Sequence, residues 1–166
     1  MKTRTIAFIL VLCMAASLCF LGCSGSEPAA DKPEKTAAEI YEDVLAVSGF
    51  GAMTPVPKRD YIEIYGIDAN NLADYVWYAS DNPSLNADEV LIFRLEKESY
   101  ADVLITLLEK HITTRLRVAE DYSPEEAAKL SQVEVKKVSN SQGLWVYFCV
   151  GSEYAKMMDV LKTDIG

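Results

Sequence analysis

Histidine is almost absent from this sequence, since His111 is the single histidine among 166 residues. A metal site needs several convergent ligands, and a Ser-His-Asp site on a nucleophile elbow needs a G-x-S-x-G motif that this chain does not contain. P-loop, dinucleotide-binding and HExxH motifs are absent as well. The sequence therefore predicts no catalytic residues, no metal ligands and no cofactor. His111 is expected to border the core and to bond locally.

Basic residues are also few, with 16 lysines and arginines against 25 aspartates and glutamates. All of the acidic residues follow Gly22, whereas Lys2 and Arg4 precede it. Without residues 1–22, the remaining 14 basic and 25 acidic residues give a net charge of −11. Nucleic-acid binding needs clustered positive charge, so we expect no nucleic-acid partner.

The N-terminus reads as an export signal. A basic start is followed by an apolar run from Ile6 to Leu21, which is shorter than the roughly 20 residues of a membrane-spanning helix. A cleaved signal is favoured over an uncleaved anchor. Cleavage by an ordinary signal peptidase could occur at residues 15–17, but Gly22-Cys23 at the edge of the run looks like a bacterial lipobox. The preceding residues, Phe20 and Leu21, depart from the usual lipobox pattern.

The four cysteines fit lipid attachment better than disulfide bonding. Cys13 and Cys19 would leave with the signal, and Cys23 would become the lipidated N-terminus. Two or more acyl chains give stable membrane anchoring. Cys149 then remains alone, so the folded part has no disulfide to form, and this cysteine is expected to be a small buried residue.

The rest of the chain predicts a tether and one folded domain. Residues 24–33 are rich in serine, alanine, proline and charge, as flexible linkers are. A capping box at Thr36 and Glu39 then begins a helix. The predicted organisation is a lipoprotein signal peptide over residues 1–22, a flexible tether over 23–35 and a single α+β domain over 36–166.

Four segments of this domain have strand-like patterns and three further segments predict helices. The strands are expected at residues 75–79, 89–95, 133–138 and 144–150, and the helices at about 99–121, from 123 onward and from 152 onward. Tyr100 and Tyr154 occupy similar places after two of the strands. The simplest fold is a two-layer α+β sandwich, with a four-stranded antiparallel sheet and helices on one face. It would consist of a ββα unit repeated twice, preceded by the N-terminal helix.

Three short motifs resemble a family of small bacterial lipoproteins of unknown function, DUF4358. They are Tyr65-Gly66-Ile67-Asp68, the segment from Asp88 to Phe93, and the segment from Tyr122 to Glu125 at the end of the long helix. The resemblance extends from about Tyr61 to Leu161. It implies an exported, lipid-anchored domain, mostly from Gram-positive anaerobes, with no assigned activity and no catalytic residues to transfer.

Carboxylates are plentiful, and Glu89 opens one of the expected strands. By strand alternation it shares a face with Leu91 and Phe93. If that face is the core, its charge needs a partner such as Arg115 or Lys110. A position at the strand end, in water, needs no partner and is favoured.

Aromatic residues are the other candidates for binding. Tyr75 and Trp77 share one strand face, and Trp145 and Tyr147 share another. Exposed aromatic rings can bind sugars or peptides, but a core position is favoured for these pairs.

These observations favour a non-catalytic lipoprotein on the extracellular face of the cell membrane. Its partners would be the membrane, through the lipid anchor on Cys23, and an unknown protein, peptide or glycan. The alternative is a carboxylate-dependent cell-envelope hydrolase, which requires two carboxylates in one cleft. A substrate-capturing transporter lipoprotein is disfavoured because such binders usually have two domains.

Overall fold

A computed structural model describes residues 34–166 of the chain. The predicted signal peptide, Cys23 and the tether up to residue 33 lie outside the described residues. Lys35, close to the start of the described part, forms ion pairs with Asp43 at 2.6 Å and Asp164 at 2.8 Å. These pairs join the chain entering the fold to both the first and the last helix.

The described residues form five strands and five α-helices. The strands are β1 (Met53–Pro55), β2 (Leu72–Ser80), β3 (Glu89–Leu95), β4 (Lys136–Asn140) and β5 (Gly143–Val150). The helices are α1 (Ala37–Ser48), α2 (Lys58–Glu63), α3 (Ala101–Tyr122), α4 (Pro124–Ser131) and α5 (Tyr154–Ile165). Short 3-10 turns span Ala69–Asn71 and Glu98–Tyr100.

The strands form one antiparallel sheet in the order β1-β2-β3-β5-β4. The predicted α+β class and antiparallel pairing are confirmed, but the prediction of four strands is wrong. The additional strand is β1, which pairs Met53 with Ser80 and Pro55 with Tyr78. It is only three residues long and includes a proline, so it gives no alternating pattern. Proline is tolerated there because β1 is an edge strand.

Helices cover both faces of the sheet, so the prediction of a two-layer sandwich with helices on one face is also wrong. The reason lies in β3, where Val90, Leu91, Ile92 and Phe93 are all fully buried. Because successive side chains point to opposite faces, an uninterrupted apolar strand needs cover on both.

The two apolar cores lie on opposite sides of the sheet. Leu91 and Phe93 pack with residues of α3, whereas Val90 and Ile92 pack with α1 and α5. Each of the hairpins β2–β3 and β4–β5 is followed by a helix, α3 and α5, but these helices lie on opposite faces and α4 intervenes. The expected simple ββα repeat is therefore not present.

None of the helices between residues 34 and 166 is both long enough and apolar enough to cross a membrane.

Candidate functional site: a buried carboxylate below an open cleft

Glu89 is the first residue of β3, and its side chain is buried on the α3 side of the sheet. The residue is only 2% exposed. The favoured prediction, a carboxylate in water at the strand end, is therefore wrong. The other prediction, a core-facing carboxylate with Arg115 as its partner, describes the structure.

Three side chains hold the Glu89 carboxylate. The Trp77 indole N–H donates a hydrogen bond to Oε1 at 2.5 Å, and Arg115 Nη1 donates to Oε2. His111 Nε2 lies 3.0 Å from Oε1 and 3.1 Å from Oε2. The carboxylate thus has partners on both oxygens, which is what a buried charge requires.

Regular secondary structure explains why these groups meet. His111 and Arg115 are four residues apart on α3, so they lie on one face of the helix. In the β2–β3 register, Trp77 is opposite Leu91 and Ala79 is opposite Glu89. Trp77 is therefore a diagonal cross-strand neighbour of Glu89, within reach of a long side chain.

The surroundings of Glu89 keep it ionised. Burial by itself would raise its pKa, but the neighbouring His111 and Arg115 and the Trp77 N–H together hold the pKa below the ordinary glutamate value. Not all of the hydrogen-bond donors of Arg115 have a partner in the described part of the chain. Its other terminal nitrogen, Nη2, is buried and has no hydrogen-bond partner among residues 34–166.

Aromatic rings enclose the imidazole beside this carboxylate. The Tyr65 ring centroid lies 4.4 Å from that of Trp77 and 5.1 Å from that of His111, which it meets edge to face. Burial, and then the charge of Glu89, raise the pKa of the Tyr65 phenol. Tyr65 follows α2 in the chain. Its ring contacts with Trp77 and His111 therefore connect the α2 segment to β2 and α3.

An open cleft of about 500 Å³ lies over the buried group. We call it the acidic cleft. Its walls are formed by residues 54–57, by Asp60 and Tyr65, and by the start of the β2–β3 loop (residues 81–88). Glu89, His111 and Arg115 also line the cleft. Asp60 and Asp81 bring the number of carboxylates lining the cleft to three.

The cleft contains the carboxylates that a hydrolase would need, but not in a metal-binding arrangement. Between residues 34 and 166, no group of three or more histidine, cysteine, aspartate or glutamate side chains is placed to hold a metal ion. Asp60 and Asp81 were not singled out by the sequence analysis. They come from the segments that flank β1 and β2, and only the pairing of these two strands brings them to one cleft.

The aromatic residues and the cysteine considered from sequence lie in the core or pack against it. Trp77, Trp145 and Tyr147 are buried, as predicted, whereas Tyr75 is half-buried. Cys149 is also buried as predicted, and burial raises the pKa of its thiol to about 12. A thiol with that pKa is a poor nucleophile at neutral pH.

A family model, the domain of unknown function DUF4358, matches residues 46–151. This is well over half of the chain. The chain belongs to the DUF4358 family. The matched region of the DUF4358 domain contains every residue that lines the acidic cleft. No curated protein and no solved structure shows significant similarity to the chain.

Proposed function

We propose that this DUF4358 protein is exported and anchored to the membrane by a lipid on Cys23. Its folded part would act as a non-catalytic binding module at the cell surface. The apolar run that ends in Gly22-Cys23 supports the anchor, and so does the resemblance of the chain to small bacterial lipoproteins. The binding site is the acidic cleft.

The observation that carries this proposal is the fixed base of the acidic cleft. Contacts within the protein hold Glu89, His111 and Arg115 against one another and against two aromatic rings. A site that is already in its bound geometry loses little conformational freedom on binding. Such rigidity favours recognition of a partner.

The state of Glu89 also favours binding over hydrolysis. A general acid needs a pKa raised towards neutrality, as burial without a partner provides. The pKa of Glu89 is instead lowered, and its oxygens are occupied by Trp77, His111 and Arg115. Glu89 is thus a structural anion that orients the two cationic or polar groups beside it.

The hydrolase remains the second candidate function because three carboxylates line one cleft. It would depend on Asp60 and Asp81, the two carboxylates at the cleft that are not bound by Arg115. Purified protein incubated with isolated cell wall is expected to release no soluble fragments. Release that disappears in the Asp60→Asn and Asp81→Asn variants would establish the hydrolase instead.

The binding proposal can be tested by photo-cross-linking in intact cells. We would place p-benzoylphenylalanine at Ser84, an exposed residue of the cleft wall, and at Val103, an exposed residue of α3. A covalent adduct is expected from position 84 and not from position 103. Absence of an adduct, or the same adducts from both positions, would contradict binding in the cleft.

A further inference from the structure

A second concavity of about 440 Å³ lies beside the acidic cleft. We call it the apolar groove. It lies between the β2–β3 loop, the C-terminal half of α3 and α4. Three of its apolar side chains are unusually exposed: Leu85 at 73%, Val118 at 52% and Tyr122 at 84%. Clustered exposed apolar side chains of this kind mark interaction sites on soluble proteins.

The two concavities share part of their lining. Pro83, Ser84 and Arg115 line both of them. One ligand could therefore extend from the acidic cleft across the β2–β3 loop into the apolar groove. Its two ends would meet different chemistry, carboxylates at one end and apolar side chains at the other.

Two of the three carboxylates at the acidic end, Asp60 and Asp81, are available to a ligand cation. Asp81 accepts a hydrogen bond from Thr54 and forms no ion pair within residues 34–166. Asp60 pairs with Arg59 at 3.2 Å, but the Arg59 side chain is 78% exposed. Exposed pairs of this kind contribute little and are easily exchanged.

The loop between the two ends is held in place. Asn82 accepts two backbone hydrogen bonds at 3.0 Å, from Leu85 and Asn86. The backbone N–H of Ala87 donates to Glu126 of α4 at 2.6 Å, and Lys129 of α4 pairs with Asp88 at 3.2 Å. The β2–β3 loop, which contributes residues to both concavities, is therefore fastened to α4.

We infer that the occupant is an extended peptide segment of a partner protein, with a basic side chain in the acidic cleft and an apolar side chain in the apolar groove. This inference rests on the proposed function and names its partner class. Charge complementarity selects the basic residue, and the exposed Leu85, Val118 and Tyr122 select the apolar one. An extended peptide can present both side chains, and each residue between them adds about 3.3 Å to their separation. A neutral glycan offers no cation for Asp60 and Asp81.

The probes are synthetic peptides carrying a neutral fluorescent dye, with one leucine and one lysine separated by one, two or three serines. Binding to the detergent-solubilised full-length protein is measured by fluorescence anisotropy. At least one spacing is expected to bind. Replacing its lysine by glutamate, or its leucine by serine, should raise Kd by about tenfold or more, the usual cost of losing an anchor residue.

Matched variants test both ends of the site. Val118→Ser and Asp81→Asn should each weaken binding by about fivefold or more. Val103→Ser should leave Kd unchanged, because Val103 lies on the same helix with 53% exposure but outside both concavities. Asp159→Asn, at an exposed position of α5, is the control for charge.

The possible outcomes separate this inference from the proposed function. Equal affinities for the lysine and glutamate peptides, or equal effects of Val118→Ser and Val103→Ser, would overturn the peptide assignment. A photo-adduct from position 84 that proves to be a glycan would also overturn it, while leaving the binding module intact. Loss of both the adduct and peptide binding would remove both proposals.

Discussion

At the scale of single residues, Glu89 is the most consequential side chain of the described chain. A buried ion pair gives little net stability compared with an apolar pair of the same shape. Removal of one partner, however, leaves the other charge buried without compensation. Arg115 and His111 both depend on Glu89 for a counter-charge or a hydrogen-bond partner. The Glu89–Arg115 ion pair therefore fixes the position of α3 against the sheet more than it stabilises the fold.

The substitution Glu89→Gln is expected to lower the free energy of unfolding at pH 7 by about 3–5 kcal/mol, because it leaves Arg115 buried without a negative partner. Glu120→Gln, on the same helix and exposed, should change it by less than about 0.5 kcal/mol. Urea denaturation of both variants measures these differences.

The pH dependence of stability should also change in the Glu89→Gln variant. Since the folded pKa of Glu89 is lowered, its contribution is complete above the ordinary glutamate pKa of about 4.3 and is lost as the pH falls through the folded value. Wild-type stability should therefore fall more steeply below about pH 4.3 than that of Glu89→Gln. Parallel curves for the two proteins would show that Glu89 is not the responsible group.

At the scale of secondary-structure elements, the connection between α2 and β2 positions Tyr65 in the cleft. Gly66 has a φ of +72°, a left-handed conformation that side chains rarely adopt. The next residue, Ile67, donates its backbone N–H to Tyr61 at 2.6 Å and is fully buried. The turn thus aims Tyr65 at Trp77 while placing Ile67 in the core.

Gly66→Ala is expected to lower the free energy of unfolding by about 1–2 kcal/mol, the cost of a left-handed conformation with a Cβ. Thermal and urea denaturation would measure it. Gly51→Ala is the matched control, because an added Cβ there meets open space and the φ of Gly51 is not in the left-handed region. If the two variants are equally stable, the left-handed backbone conformation at position 66 does not require glycine.

Elements with a strong local signal, such as an apolar run, a helical period or a capping box, are predictable from the sequence. The bounds of β3 were predicted correctly, and α3 ends one residue beyond the expected Asp121. The capping box of Thr36 and Glu39 is present. In each case, local hydrogen bonds or the period of apolar residues determine the element, and both are visible in sequence.

Other helix starts depend on contacts that sequence does not show. The helix expected from about residue 99 begins at Ala101, because Ser99 lies in a 3-10 turn and Tyr100 occupies the N-cap. In the helix expected from residue 123 onward, the Ser123 side chain makes no cap hydrogen bond, and Glu126 accepts a hydrogen bond from the Ala87 N–H. The acidic cleft was unpredictable for the same reason, because Asp60, Asp81 and His111 are brought together only by strand pairing and by packing of α3.

At the scale of the whole molecule, the net charge and the cysteine count bear on the proposed lipid anchor. The predicted mature protein carries a net charge of −11 and a single cysteine outside the signal and the anchor. Strong net charge of one sign keeps proteins soluble and apart. A lipid on Cys23 would then be the feature that brings this acidic domain to a surface.

Cys23→Ala is expected to abolish membrane retention and incorporation of labelled fatty acid, because the thiol that receives the lipid is lost. Cell fractionation and fatty-acid labelling measure the two effects. Cys19→Ala, within the same predicted signal segment, should retain both. Labelled fatty acid in the Cys23→Ala protein would refute the lipobox assignment.

The two outer strands of the sheet have a consequence for proteins held at high local density. Unpaired strand edges invite pairing with a neighbouring copy, and short strands, proline and lysine oppose it. β1 has three residues and ends in Pro55, and β4 begins with Lys136 and Lys137. The segments most prone to amyloid-like stacking, β3 and β5, are paired on both edges inside the sheet. Many copies could therefore crowd together on one surface without fusing their sheets.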